Sequence, residues 1–342
     1  MNVAAGNPTR IRHDPHYFLN RALEPIRQFL DDPNVVEIAV NKPGDVYVER
    51  FGSDHMEHHP IVALTADEIQ NIGERVAAAT NQFISRAKPI LSASLPTGER
   101  IQVVLPPAAP QGGSISVRKQ VVSNFALEDY RDRGFLDQVS VAVGGLSEVD
   151  RELIEHLHEN RIYDFIHTAV TRRVSILISG GTSSGKTTFL NACLKCVPAS
   201  ERIITLEDTR ELFPPQTNIV HLIASKGDQG TADVTIQNLL EASLRMRPDR
   251  LFVGEIRGTE AFSFLRAINT GHPGSMSTIH ADTPVGAYEQ IIMMMQQAGM
   301  SASVSKLDLM SYIQMVIPIV IQLRREGGKR SVCEVFFARD AS

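Results

Sequence analysis

Residues 175–190 read SILISGGTSSGKTTFL, and this stretch decides the fold of the chain. The order G-x-x-x-x-G-K-[ST] directly follows a β-branched run and precedes a helix-like run, which is the setting of a phosphate-binding P-loop rather than of an ordinary Gly-rich turn. Glycines let the backbone wrap closely around phosphates, N–H groups at the helix N-terminus point at them, and the lysine neutralises their charge. The stretch therefore predicts a nucleotide site with the binding residues Gly180, Gly181, Thr182, Ser183, Ser184, Gly185, Lys186 and Thr187.

Two strand-like runs downstream end in carboxylates, like the acidic residues that lie at strand ends beside a P-loop. Residues 249–255, DRLFVGE, end at Glu255, which could hold the Mg²⁺ shell together with the Thr187 hydroxyl, or activate water. The run IITLED ends at Glu207 and Asp208. On position alone, a solvated strand end that merely carries acidic residues stays open as the alternative for this second pair.

The sequence after residue 150 alternates between strand-like and helix-like runs. The runs SILIS, IITLED, DRLFVGE and SMSTIHA favour strands, and helix-like runs such as residues 232–247 and 259–271 separate them. Such alternation predicts a mostly parallel sheet covered by helices, and therefore an α/β fold.

The N-terminal part has a different pattern. Residues 35–51 contain two β-rich runs around a Lys-Pro-Gly-Asp turn, which predicts a hairpin of an antiparallel sheet. Thr65 and Glu68 form a capping box that predicts the start of an amphipathic helix, and strand-like runs follow at 101–105 and 114–118. These patterns predict three units, which are a smaller α+β domain over residues 1–119, a linker over residues 120–149 and the α/β domain over residues 150–342.

The composition excludes several classes of protein. The 342 residues are 43% hydrophobic and 21% charged, which is typical of a globular protein long enough for two domains. Lys and Arg number 34 against 39 Asp and Glu, a net charge of -5, so no global basic field attracts nucleic acid. The start of the chain lacks an apolar signal-peptide core, and the longest apolar run, residues 315–323, is too short to span a membrane. With only three cysteines, these features predict a cytoplasmic protein.

Four segments follow one another along the chain: GGTSSGKTT, ITLEDTREL, SLRMRPDRLFVGEIR and TGHPGSMSTIHA. In this order and spacing they resemble the secretion ATPases of the VirB11 and general-secretion E type. The resemblance covers residues 162–342, and the segments SLPTGERIQVVLPP and SISVRK extend it into the N-terminal part. Because a short α+β domain directly precedes the motor, the chain is most similar to the VirB11-type traffic ATPases of type IV secretion systems.

The resemblance implies roles for the matching residues of the C-terminal part. Residues 180–188 would bind ATP and Mg²⁺, with Lys186, Thr187 and Thr188 among them. Glu255 would be the Walker B glutamate that also contacts the metal. Glu207 and Asp208 would form the Asp box of the family. His280, in the His box, would respond to the γ-phosphate, so that Glu255, Glu207, Lys186 and His280 form the predicted catalytic set.

Arginines complete the implied site. Arg100 in PTGER and Arg118 in SISVRK match arginines that reach the nucleotide from the N-terminal domain in similar proteins. Arginine suits this task because its planar fork pairs bidentately with phosphate oxygens. Arg210, directly after the Asp box, is a further candidate for the same task.

The resemblance also implies an architecture and a function. The expected protein has a RecA-like ATPase domain behind a PAS-like N-terminal domain and forms a homo-hexamer that uses ATP and Mg²⁺. It would power the assembly of a type IV secretion apparatus, or the translocation of protein or DNA, by opening and closing its domains. Its expected partners are inner-membrane components of the secretion channel, so peripheral attachment to the cytoplasmic face of the inner membrane is implied, without stable sequence-specific binding of nucleic acid.

Alternatives stay open at this point. A pilus assembly or retraction motor, or a type II secretion ATPase, would share every nucleotide residue and differ in its partner. A nucleotide-sensing scaffold with little turnover is the alternative of another class. The lone C-x-x-C of Cys193 and Cys196 predicts helix packing, because a zinc site needs four ligands.

Overall fold

Two sheets, each with its own hydrophobic core, organise the chain. The structure is a computed structural model that describes residues 16–120, 126–137, 139, 145–225, 231–299 and 304–340. The first sheet has six antiparallel strands, and the second has seven strands that are all parallel except the last. The predicted fold class, a mostly parallel α/β unit preceded by a smaller α+β unit, is therefore confirmed.

The first sheet belongs to the N-terminal part of the chain. Its strands are β1 Val35–Lys42, β2 Asp45–Arg50, β3 Glu57–Pro60, β4 Ile90–Ser94, β5 Arg100–Val104 and β6 Ser114–Arg118. The order across the sheet is β3-β2-β1-β6-β5-β4. The helical elements beside it are α1 Tyr17–Ala22, a 3₁₀ turn Glu24–Ile26, α2 Arg27–Asp31 and α3 Ala66–Ala79.

Helix α3 shows why these elements pack together. The Thr65 hydroxyl accepts a hydrogen bond from the Glu68 N–H at 3.2 Å, which confirms the predicted helix start. Ile69, Ile72 and Val76 recur at helical spacing and are fully buried in the core beneath the sheet. The apolar stripe of the helix therefore covers one face of the antiparallel sheet.

The second sheet holds the P-loop. Its strands are β7 Ile176–Gly180, β8 Ile203–Glu207, β9 Ile219–Ile223, β10 Arg250–Val253, β11 Met276–Ile279, β12 Ile319–Glu326 and β13 Lys329–Phe337, in the order β13-β12-β7-β11-β10-β8-β9. The helices are α4 Leu127–Asp132, α5 Glu148–His158, α6 Ile162–Thr171, α7 Lys186–Leu194, α8 Ile236–Ser243, α9 Glu260–Asn269, α10 Pro284–Gln297 and α11 Lys306–Val316. None of the helices in the described ranges combines the length and the apolar composition that a bilayer crossing requires.

Some elements differ from the sequence prediction. Between residues 148 and 171 the chain forms two helices, α5 and α6, because Asn160 adopts a left-handed φ of 55° between them. Helix α4 lies within the predicted linker, and α5 begins at Glu148, just before the predicted boundary. The division into domains itself stays a prediction. In the C-x-x-C pair, Cys193 is buried in the core and Cys196 is half-buried.

Buried polar contacts join the two sheets. Arg202, directly before β8, is fully buried and donates from Nη1 to Asn218 Oδ1 at 2.7 Å and to Asn41 Oδ1 of β1. Asn41 Nδ2 also donates to Asn218 Oδ1, at 2.9 Å. Nearby, Arg247 donates from Nε and Nη2 to both carboxylate oxygens of Glu49, at 2.6 and 2.7 Å. These contacts hold the antiparallel sheet against the β8–β9 edge of the parallel sheet.

Candidate nucleotide site

The P-loop connects the end of β7 to the start of α7. Ser183 and Gly185 have φ of 60° and 96°, and left-handed residues of this kind turn successive N–H groups into an anion-binding concavity. Lys186 Nζ donates to the carbonyl oxygens of Gly180 at 2.9 Å and of Gly181 at 3.1 Å. Burial holds the pKa of Lys186 below its ordinary value. The lysine therefore places its ammonium directly on the loop.

The loop has the space and the donors for phosphate. A Cβ on Gly180 would lie 2.6 Å from the Leu323 carbonyl oxygen and 2.6 Å from Ser184 Oγ, so only glycine fits there. Ser184 Oγ is buried and has no hydrogen-bond partner among the residues that the structure describes. A buried hydroxyl without a partner, beside N–H groups and a lysine, suits phosphate oxygens. These residues therefore fit the phosphates of a nucleotide.

Acidic side chains line the adjoining cavity of about 450 Å³, together with Thr187. Glu207, at the end of β8, accepts hydrogen bonds on Oε1 from the N–H groups of Glu211 and Leu212, both at 2.8 Å. Its Oε2 is buried without a hydrogen-bond partner in the described part of the chain, and burial raises the pKa of this carboxyl. Glu207 is thus held firmly through one oxygen while the other stays available.

A chain of charged contacts crosses the cavity from the P-loop. His280 Nδ1 lies 3.3 Å from Lys186 Nζ, and His280 Nε2 lies 3.2 Å from Glu255 Oε1. The second Glu255 oxygen accepts a hydrogen bond from Arg257 Nη2 at 2.9 Å, and Arg257 Nη1 donates to Asp208 Oδ2 at 2.8 Å. The imidazole of His280 therefore contacts both the Lys186 ammonium and the Glu255 carboxylate. The carboxylate of Glu255 is therefore oriented from two sides.

The residues of this cavity could bind Mg²⁺ only together with the phosphate oxygens of a nucleotide. Within the described ranges, no group of three or more His, Cys, Asp or Glu side chains is arranged to hold a metal ion by itself. Mg²⁺ prefers oxygen ligands and is often bound through few protein groups plus substrate phosphates. The Thr187 hydroxyl and the Glu255 carboxylate, both in this cavity, would be its protein-side partners.

The arginines predicted to reach the nucleotide lie elsewhere in their own chain. Arg100 and Arg118 line a separate cavity of about 530 Å³ between the antiparallel sheet and the residues after α8, among them Arg245 and Arg247. They are directly opposed across β5 and β6. The structure thus brings Glu207, Asp208, Glu255 and His280 to the P-loop but does not bring Arg100 or Arg118 to it.

Arg210 also points away from the phosphate cavity. Its Nη2 lies 3.2 Å from His221 Nε2, and its guanidinium lies 5.6 Å from the centroid of the Phe213 ring. Burial, with the positive charge of Arg210 beside it, lowers the pKa of His221 to about 4, so this histidine is neutral and accepts from Arg210. Arg210 therefore contacts β9, through His221, in this structure.

Sequence reasoning did not single out Arg257, which bridges Asp208 and Glu255. Its position two residues after Glu255 is a usable signal, because a side chain that soon follows a strand end stays near that edge of the sheet. Arg330 was also not anticipated. Its Nε donates to the Ser183 carbonyl oxygen of the P-loop at 3.1 Å, although it lies 147 residues away in sequence.

A P-loop on a parallel sheet, with two acidic strand ends facing it across a cavity, defines a RecA-like nucleotide-binding protein. The family model described as "Type II/IV secretion system protein" matches residues 20–330. The chain belongs to this family and, within it, to the VirB11 proteins of type IV secretion systems.

Individual relatives match over nearly the whole chain. The type IV secretion system protein VirB11 of Bartonella henselae is 39% identical over 327 residues, which cover 92% of this chain and 91% of the relative. Protein VirB11 of Agrobacterium fabrum is 33% identical and covers 93% of each chain. The crystal structure of the VirB11 ATPase from the Brucella suis type IV secretion system, in complex with sulphate, superposes with a TM-score of 0.87 at 33% identity, covering 95% of this chain and 99% of that one. The predicted resemblance is confirmed.

Proposed function

We propose that this protein is a Mg²⁺-dependent ATP hydrolase that works as a hexamer and powers type IV secretion, in assembly of the apparatus or in translocation of protein or DNA. The observation that carries the proposal is the contact chain from Lys186 through His280 to Glu255 beside the P-loop. The VirB11 relatives supply the biological setting. In that setting the protein attaches to inner-membrane components of the secretion channel on the cytoplasmic side.

The residues of the cavity divide the work of hydrolysis. The P-loop N–H groups and Lys186 hold the phosphates, and the bound Mg²⁺ would neutralise charge on the β- and γ-phosphates. Glu255, oriented by His280 and Arg257, positions the attacking water and accepts its proton. Glu207 shapes the same wall of the cavity and is the second candidate for this base.

Substitution of each carboxylate separates these two candidates. Glu255→Gln keeps the hydrogen-bonding shape but removes the base, so turnover should fall by about 10²-fold or more while ATP still binds. Glu207→Gln is the matched control on the neighbouring strand. If Glu207→Gln abolishes turnover and Glu255→Gln leaves it intact, the assignment of the base to Glu255 is wrong.

The separate arginine cavity supports a site that is shared between subunits. Arg100 and Arg118 face a cavity of their own chain that contains no P-loop residue, so they act on phosphate only if a neighbouring subunit presents its P-loop to them. In a closed ring, every subunit meets its neighbour through the same pair of surfaces, and six equivalent shared sites result. Loss of the γ-phosphate would then release the arginines and let the domains reopen.

A mixing experiment tests this arrangement. Subunits with Lys186→Ala lack a working P-loop, and subunits with Arg100→Ala and Arg118→Ala lack the arginines. An equal mixture should recover about a quarter of wild-type turnover, because random neighbours complete that share of the sites. No recovery would contradict shared sites. Scattering with and without a non-hydrolysable ATP analogue tests the domain motion, and an unchanged envelope would contradict it.

A further inference from the structure

The β12–β13 hairpin places two arginines opposite each other beside the P-loop. The hairpin turns at Gly327 and Gly328, both with positive φ, and the register pairs Arg325 directly with Arg330. Directly opposed residues of an antiparallel pair project from the same face. The two positive charges are therefore neighbours on one face of the hairpin.

Arg325 and Arg330 lie on the face of the parallel sheet against which α7 packs. Leu323 and Val332, two residues inward on each strand, pack in the same core cluster as Leu190 of α7. Because side chains alternate between the faces of a strand, Arg325 and Arg330 extend this face beyond the core, toward the loop that leads into α7. The contact of Arg330 Nε with the Ser183 carbonyl oxygen shows that the extension reaches the P-loop.

An anion beside these two exposed like charges would be stabilising. Like charges directly opposite in a sheet are destabilising, and neither Arg325 nor Arg330 forms an ion pair with any residue that the structure describes. By contrast, Arg324 on the other face pairs with Glu326, its Nη1 lying 3.1 Å from Oε1. Arg324 is therefore neutralised by a carboxylate, whereas Arg325 and Arg330, on the face with the P-loop, have no carboxylate partner among the described residues.

The contact with the loop is close as well as charged. A Cβ on Gly185 would lie 3.1 Å from Arg330 Cδ, so the side chain of Arg330 lies against the last glycine before α7. The N–H groups of this first helical turn and the helix dipole both favour a phosphate at that point. A guanidinium placed there can pair with phosphate oxygens through its fork.

We propose that Arg330, supported by Arg325, is a nucleotide-binding residue that contacts the phosphates of the nucleotide held by the P-loop of its own chain. This inference rests on the proposed binding of ATP. It adds a phosphate contact from the same subunit, at the edge of the sheet that is opposite to β8 and its acidic residues. Arg330 thereby closes the P-loop from the side of the hairpin.

Binding of ADP and ATP by displacement of a fluorescent nucleotide tests the proposal. Arg330→Ala and Arg330→Gln should each weaken both nucleotides by about tenfold or more, because a charge-assisted hydrogen bond is lost, and Arg330→Lys should restore part of the affinity. Arg325→Gln should weaken binding less, and Arg324→Ala, the matched control on the other face, should bind like wild type. Inorganic tripolyphosphate, which carries the charge without a base, should lose affinity in parallel with ATP.

Three results would overturn the proposal. The first is that Arg330→Ala binds nucleotide as tightly as Arg324→Ala. The second is that Arg330→Gln binds nucleotide like wild type, because its amide replaces the hydrogen bond to Ser183. The third is that Arg330→Ala binds ATP more weakly but tripolyphosphate as tightly as wild type, which would mean that Arg330 contacts the base. Thermal unfolding of each variant checks that the exposed hairpin keeps its fold. If wild type binds and hydrolyses ATP while Arg330→Ala is unaffected, this inference alone fails. Wild type that binds no nucleotide would overturn the proposed function as well.

Discussion

Replacing Arg202 with methionine should lower the free energy of unfolding by about 2–4 kcal/mol, because buried acceptors where the two sheets meet lose their donor. The Arg202 side chain donates to Asn41 Oδ1, to Asn218 Oδ1 at 2.7 Å and to the Met246 carbonyl oxygen at 3.0 Å. Methionine fills a similar volume without donating. Each buried acceptor left without a partner costs about 1–3 kcal/mol, and Asn41 Nδ2 can still donate to Asn218, so the total falls below the full sum.

Urea unfolding followed by circular dichroism at neutral pH measures this change. Arg245→Met is the matched control, because Arg245, just after α8, is exposed, and among the described residues its side chain donates only to the Glu241 carbonyl oxygen of α8, at 3.1 Å. The control should stay within about 0.5 kcal/mol of wild type. A double-mutant cycle with Asn41→Ala should give a coupling energy of about 1–3 kcal/mol across the junction. If Arg202→Met and Arg245→Met unfold alike, the junction does not hold the sheets together as described.

Three further predictions follow from buried or oriented groups. Burial raises the pKa of Glu37 from 4.5 to about 8, so as the pH rises the unfolded chain releases this proton before the folded chain does. The free energy of unfolding therefore falls by about 1.4 kcal/mol per pH unit between those two pH values. Glu37→Gln should remove that fall in urea titrations, and an unchanged pH profile would contradict the prediction. In Glu255→Gln, equilibrium binding of ATP should stay within a few-fold of wild type while turnover collapses, and equal losses of both would argue against a role confined to chemistry. Burial raises the pKa of Cys193 to about 12, so its thiol should react slowly in the folded protein. A thiol-reactive dye should label the exposed Cys333 rapidly and Cys193 only after unfolding. Rapid labelling of both cysteines would show that Cys193 is not buried.

Much of the nucleotide site was predictable because its pieces are local or lie at equivalent strand ends. The P-loop is one contiguous motif whose strand, turn and helix all agree with its sequence. Glu207 ends β8 and Glu255 follows the neighbouring parallel strand β10, so their meeting at one edge of the sheet follows from the topology. His280 follows β11 for the same reason. Their roles in chemistry stay predictions.

The rest depended on contacts between distant parts of the chain. Strand β3, with the sequence EHHP, and β4, with ILSAS, are short and weakly patterned, and only their partners make them strands. The placement of Arg100 in a cavity apart from the P-loop depends on how the two sheets meet through Arg202, which no periodicity reveals. Asn160 did carry a signal, since Asn tolerates the left-handed conformation that separates two helices.

The central claim is that the P-loop cavity hydrolyses ATP in an oligomer with shared sites. The most direct measurement is Mg²⁺-dependent ATP hydrolysis over a wide range of protein concentration, with Lys186→Ala beside wild type. Turnover per subunit that rises with concentration to a plateau and vanishes in Lys186→Ala is the predicted result. Turnover that is absent, or independent of both concentration and Lys186, would contradict the claim.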